Sequence, residues 1–130
     1  MVVVDTSAWV EWLTDSPLAS KVAPHLARLE EVIVPTLVQY ELYKWAARER
    51  DEASALTIIG LTAQARVEAL DTTRAIAAAE VSSQHRLAMA DAIVYACAQA
   101  HDARLVTSDA QFQSLPNVEY LAKPARKPRA

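Results

Sequence analysis

One glycine, one cysteine and a 6% share of aromatic residues are all that this 130-residue chain contains of those types, and each scarcity closes off a class of function. With Gly60 as the sole glycine, no Gly-rich loop can offer backbone N–H groups to a phosphate. P-loop and dinucleotide-binding chemistry are thereby excluded, and no nucleotide cofactor is expected. With Cys97 as the sole cysteine, neither an intrachain disulfide nor a thiolate cluster can form. Its apolar neighbours mark it as a small buried hydrophobe. No apolar run reaches the roughly 18 residues of a membrane helix, and Met1-Val-Val-Val-Asp5 has neither the basic start nor the length of a signal peptide. The expectation is a soluble, cytoplasmic protein without membrane contact. The hydrophobic fraction of 52% argues against disorder, and with so few aromatics the core must come mainly from Ala, Val and Leu.

The formal charge of −3 hides an asymmetry. Lys123-Pro-Ala-Arg-Lys-Pro-Arg-Ala130 carries four positive charges and no negative ones, which leaves nine basic against sixteen acidic residues in the body. This divides the chain into a domain over residues 1–122 and a basic, Pro-containing tail over 123–130. The tail is too polar to pack a core, but Lys123, Arg126, Lys127 and Arg129 are candidates for phosphate contacts with a nucleic acid.

Short apolar runs alternate with helical patterns. Val2-Val3-Val4 reads as a strand that stops at Asp5-Thr6-Ser7, residues suited to capping a helix carrying Trp9, Val10 and Leu13. A helix over Leu18 to Glu30, a strand at Val32-Ile33-Val34 and helices over Thr36 to Arg50 and Asp51 to Ala65 follow. Val67-Glu68-Ala69-Leu70 gives a weaker strand before an Ala-rich helix capped at Asp71. Next come the helix containing Asp91, a strand at Arg104–Thr107, a short helix from Asp109, and an edge strand at Val118–Leu121. This order predicts one α/β domain of three layers, a mainly parallel sheet of four to five strands between about seven helices, without repeats or an internal linker. In such folds ligands gather beyond the carboxyl ends of the strands.

Four carboxylates claim that edge. Asp5 directly follows the first strand and Asp109 follows the fourth by two residues; each alone reads equally well as a helix cap. Glu41 sits in or against the apolar stripe of Leu37, Val38, Leu42 and Trp45, where an ion pair with Lys44 is the simpler explanation. Asp91 is the one charge in Leu87-Ala-Met-Ala-Asp-Ala-Ile-Val-Tyr-Ala-Cys-Ala98, so a buried and costly carboxylate is expected there unless a cation meets it. Together they form a cluster of hard oxygen ligands with no evident basic neighbour, and like charges gather only with protons or a metal between them. Oxygen-only ligation points to Mg²⁺ or Mn²⁺. Zinc is not expected, because His25, His85 and His101 are scattered, without the spacing of zinc sites, and read as surface or helix-end residues.

The motifs Val3-Val-Asp-Thr-Ser7, Pro35-Thr-Leu-Val-Gln-Tyr-Glu41, Asp91-Ala-Ile-Val-Tyr-Ala96 and Leu105-Val-Thr-Ser-Asp109, followed by Phe112, occur in an order and spacing that resembles the PIN-domain ribonucleases. Among these the chain is most similar to the small VapC-like toxins of toxin–antitoxin pairs. The resemblance spans nearly the whole chain and implies an acidic quartet of Asp5, Glu41, Asp91 and Asp109, with Thr6, Ser7 and Thr107 as hydroxyl partners. It also implies a Mg²⁺- or Mn²⁺-dependent endoribonuclease in which metal-activated water attacks RNA and leaves a 5′-phosphate and a 3′-hydroxyl. The partners implied are RNA, a cognate antitoxin whose C-terminal segment covers the acidic site, and a second copy in a homodimer. Tyr95, where a small residue is common, and the lack of a glycine before the fourth strand are the departures. Trp9, Trp12 and Trp45 are candidate interface anchors, with core packing as the simpler use of each.

Other chemistries fit less well. A haloacid-type phosphatase wants an Asp two residues after Asp5, where Ser7 stands. A Ser7 hydrolase lacks both a glycine elbow and a histidine partner. The non-enzymatic alternative is a catalytically silent PIN-like module that binds RNA or protein.

Overall fold

The computed structural model describes residues 1–124. Five strands, β1 (Val2–Val4), β2 (Val32–Pro35), β3 (Arg66–Glu68), β4 (Arg104–Thr107) and β5 (Val118–Tyr120), form one sheet in the order β3-β2-β1-β4-β5. Every pairing is parallel, with Val3 opposite Ile33 on one side and Leu105 on the other, Pro35 opposite Glu68 and Thr107 opposite Tyr120. Parallel strands need crossovers, and these are supplied by α1 (Thr6–Leu13), α2 (Ala19–Leu26), α3 (Thr36–Glu49), α4 (Glu52–Thr62), α5 (Thr72–His85) and α6 (Met89–Ala100). The result is a three-layer α/β/α arrangement. Helices α1 and α2, α3 and α4, and α5 and α6 pack as pairs, and α6 lies against β1 and β4.

The central strands are buried on both faces, which explains why they read as unbroken β-branched runs: Val3, Val4, Val32, Ile33, Val34, Leu105 and Val106 all belong to the core. The edges read differently, since β3 leaves Arg66 and Val67 exposed. On the helix side, α6 buries the whole run from Ala92 to Ala98. Trp9 is also fully buried and meets Trp12 edge to face, with ring centroids 6.2 Å apart, so it serves the core and cannot anchor a partner. Trp12 and Trp45 are partly buried against the same core. Among the described residues, no helix is long and apolar enough to cross a membrane.

Several details differ from the sequence reading. The second helix stops at Leu26 instead of Glu30: Arg28 leaves the helical region and a 3₁₀ turn over Leu29–Glu31 leads into β2. The seventh helix, expected from Asp109, is a single 3₁₀ turn over Ala110–Phe112. Strand β3 begins at Arg66 and ends at Glu68, since Asp71 already caps α5 by accepting from the Arg74 N–H at 2.8 Å. No glycine is needed before β4, because Asp102 takes the left-handed conformation (φ 48°), which an aspartate tolerates better than most residues.

Tyr95 turns into the protein interior. It stacks on Phe112 at 6.4 Å and donates its hydroxyl to the Pro116 carbonyl at 2.9 Å. Of the basic tail, Lys123 is exposed and lies 3.7 Å from the Glu11 carboxylate. Arg126, Lys127 and Arg129 lie outside the described residues.

Candidate active site

The carboxyl edge of the sheet gathers its polar residues from the ends of β1 and β4 and from the helices α1, α3 and α6. Asp5 leaves β1 and is fixed at the backbone by donating its N–H to the Val106 carbonyl at 2.9 Å. Its side chain is only 5% exposed. Oδ2 accepts from the Thr107 hydroxyl at 2.9 Å and from the Ser7 hydroxyl at 3.0 Å. Thr107, at the end of β4, also accepts the Asp109 N–H at 2.9 Å, and Ser7 accepts the Ser108 N–H at 3.0 Å. The ends of β1 and β4 are thus stitched together by hydroxyls whose partners are carboxylates and backbone amides. Residues 5–7 and 107–109 share one small network.

Glu41 enters from α3 and accepts from the Thr6 hydroxyl at 2.7 Å, which aims it toward the end of β1. Asp91 is in the first turn of α6, and Asp109 accepts from the Gln111 N–H at 2.9 Å as the cap of its 3₁₀ turn. Asp109 therefore is a cap, as the simpler reading had it, while it also borders the cluster.

The electrostatics bind the four together. Burial pushes the Asp5 carboxyl up to about 6 against the opposing bonds from Thr107, Ser7 and the Thr6 backbone, and Glu41 adds to the rise. Asp91 is also raised to about 6, by burial first and then by the negative charges of Asp109 and Glu41. Among the described residues, none of the four carboxylates forms an ion pair with a basic side chain. Two carboxyls pushed up toward neutral pH, with no basic partner among the described residues, are a charge arrangement that a bound cation would relieve. No three of the four bring their oxygens within 4.8 Å of one another.

One expectation is reversed. Asp91 is half-buried, and Asp5 is the carboxylate sealed from solvent. The apolar run around Asp91 is real, but its buried part starts at Ala92, one residue beyond it.

Two features escaped the sequence reading. Ser108 is buried, lends its backbone N–H to Ser7, and has no partner for its own hydroxyl; it stands between Thr107 and Asp109, where the motif itself pointed. The second is a group formed by Glu68, Cys97 and His101. The histidines do sit at helix ends, with His101 immediately after α6. Yet Cys97 and His101 are four residues apart, the helical spacing of a ligand pair, and that signal was legible.

The profile of the PIN domain family matches residues 2–118. No curated protein sequence matches. Among solved structures, the chain is similar to a toxin–antitoxin complex from Klebsiella pneumoniae (TM-score 0.77, 18% identity, 92% of this chain and 96% of that one covered). It is also similar to a sarcin–ricin-loop-cleaving VapC toxin of Mycobacterium tuberculosis (TM-score 0.72, 18% identity, 91% and 97% covered). A third is the FitAcB structure from Neisseria gonorrhoeae (TM-score 0.71, 22% identity, 93% and 97% covered).

Proposed function

Because the chain belongs to the PIN domain family, we propose that it is a Mg²⁺- or Mn²⁺-dependent endoribonuclease, the toxin of a toxin–antitoxin pair. The observation that carries this reading is the gathering of Asp5, Glu41, Asp91 and Asp109 at one sheet edge with no basic side chain among the described residues paired to any of them.

The chain's own residues divide the work. Thr107 and Ser7 hold the buried Asp5 in one orientation. Thr6 holds Glu41, and the Asp109 amide is fixed by Thr107. Asp5, Asp91 and Asp109, with Glu41 directly or through water, are the residues that would hold the ion. A Mg²⁺ or Mn²⁺ ion there supplies a bound water of lowered pKa and neutralises charge on the attacked phosphate. Because the hydroxyls set the carboxylates before substrate arrives, little reorganisation remains for the reaction itself.

The helix that carries Glu41 also offers a surface for single-stranded RNA. Tyr40 precedes Glu41 on α3 and is 61% exposed, and the Lys44 ammonium lies 5.9 Å from the centre of its ring. An aromatic face for a base and a cation for a phosphate are the usual elements of sequence-tolerant single-strand binding. The solved relatives in toxin–antitoxin complexes support the partner assignment, and an uncompensated acidic basin is complementary to a basic antitoxin segment.

The test is Asp91→Asn. In Mg²⁺ the variant is expected to cleave RNA at least ~100-fold more slowly than wild type, the scale on which loss of a metal ligand or a well-placed catalytic group acts. Excess EDTA should abolish wild-type cleavage. Full activity of Asp91→Asn, or of wild type in EDTA, would overturn the mechanism. Tight RNA binding without any metal-dependent turnover would identify the silent binding module instead.

A further inference from the structure

Glu68, Cys97 and His101 form a second group of ligating side chains that shares no residue or hydrogen bond with the acidic quartet. Cys97 and His101 lie one helical turn apart at the end of α6, so they face the same side. Glu68 comes to them from the end of β3 at the edge of the sheet. The carboxylate oxygen, the imidazole nitrogen and the sulfur all lie within 4.8 Å of one another, and His101 Nε2 is 2.5 Å from Glu68 Oε1.

The donor set is of another chemical kind from the quartet. Sulfur, nitrogen and one oxygen make a borderline-soft environment that selects zinc-class ions over magnesium. We propose that Glu68, Cys97 and His101 constitute a second metal site, for a borderline-soft divalent cation such as Zn²⁺, separate from the acidic basin. Three protein ligands leave a fourth position for water or a further ligand, and His101 is exposed. Cys97 itself is fully buried and borders a narrow gap, too tight to hold a water molecule, that Glu68 and Arg74 also line.

Arg74 is the group that argues most strongly against an ion here, and its geometry limits the objection. It donates Nε to Glu68 Oε2 at 3.0 Å and Nη2 to Oε1 at 3.1 Å. An ion taking Oε1 leaves the Nε–Oε2 bond in place, and Arg74 then orients the carboxylate ligand from behind, as outer-shell partners of metal ligands do. Thiolate and carboxylate together neutralise the dication. With no ion bound, protons fill the gap: burial and the Glu68 charge push the Cys97 thiol well above its ordinary range. Binding must displace that proton, so affinity rises with pH.

The single cysteine makes the test unambiguous, because thiolate-to-metal charge transfer in this chain reports Cys97 and nothing else. Untagged, metal-free full-length protein is titrated with Co²⁺ as the spectroscopic probe, and Zn²⁺ is then added. The expected result is a charge-transfer band that saturates at one equivalent and is bleached by Zn²⁺. It should vanish in Cys97→Ser and need at least a tenfold higher Co²⁺ concentration in His101→Ala, whose exposed position leaves folding intact. It should be unchanged in Asp5→Asn and Asp91→Asn, so the site stands or falls apart from the nuclease reading. Zn²⁺ should also raise the thermal midpoint of wild type and not of His101→Ala. Absence of the band in folded wild-type protein at excess Co²⁺ overturns the proposal, as does a band of unchanged affinity in both His101→Ala and Glu68→Gln. Either result would leave the trio as a hydrogen-bonded knot between β3 and α6.

Discussion

Replacing Asp5 with asparagine is expected to abolish cleavage and, at neutral pH without metal, to make the protein more stable. Asp5 is buried, and its carboxyl is raised from 3.8 to about 6. The native state therefore holds this proton to higher pH than the unfolded chain does. Stability from the group is complete below about 3.8 and is lost as pH rises through about 6. A shift of roughly two units corresponds to about 3 kcal/mol between the two limits. Asparagine escapes that loss, but it has one acceptor oxygen where the carboxylate has two, and the lost acceptor costs about 1 kcal/mol. The balance is a gain of about 1–2 kcal/mol for Asp5→Asn at pH 7.5 and a deficit of about 1 kcal/mol at pH 4, where the aspartate is already neutral. Urea unfolding in EDTA at the two pH values measures this, and the difference from wild type cancels every other titrating group. A variant–wild-type difference that is the same at both pH values would refute the electrostatic reasoning. Added Mg²⁺ at about one hundred times Kd should then reverse the order, because only wild type gains from binding, by about 2.7 kcal/mol.

Thr107→Val keeps the shape of the side chain but deletes the donor to Asp5 and the acceptor for the Asp109 amide; kcat is expected to fall roughly 10–100-fold, with Thr107→Ser restoring most of it. A kcat within twofold of wild type would remove Thr107 from the machinery. Tyr40→Ala should raise KM for single-stranded RNA several-fold while kcat holds, consistent with base stacking worth about 1–3 kcal/mol, and steady-state kinetics on a short oligonucleotide decide it. Glu68 is pushed up by burial, but bonds from Arg74, Cys97 and His101 outweigh this and hold it at about 2. Its stabilisation is present above about 4.5 and fades as pH falls toward 2, so Glu68→Gln should flatten the acid limb of the wild-type stability profile in metal-free protein.

How much of this was legible in the sequence depended on whether the cause was local. Asp5 and Asp109 could be placed because each follows a strand, and strand ends define an edge whatever the sheet order. Glu41 could be placed because it interrupts a helical stripe. The degree of burial was misjudged for a reason equally physical. A run of apolar letters says that a helix is covered but not where the cover begins, and Asp91 falls in the first turn, just outside it. Asp5 is sealed because β1 takes the centre of the sheet, with β2 and β4 on either side, a tertiary fact with no local signature. The Glu68 group divides along the same line. The Cys97–His101 spacing was there to be read, whereas the arrival of Glu68 depends on the path of β3.

The central place of β1 also sets a clock on synthesis. The first strand to be made pairs on one side with residues 32–33 and on the other with residues 104–106, and the buried bond between Thr107 and Asp5 spans 102 positions. At translation rates of about 5–20 residues per second, Asp5 waits roughly 5–20 s for the segment that orients it. Until then a growing or prematurely terminated chain has no assembled cluster and nothing with which to cut. The cell therefore never meets a half-made version of this activity: it comes into being only when nearly the whole domain has been translated.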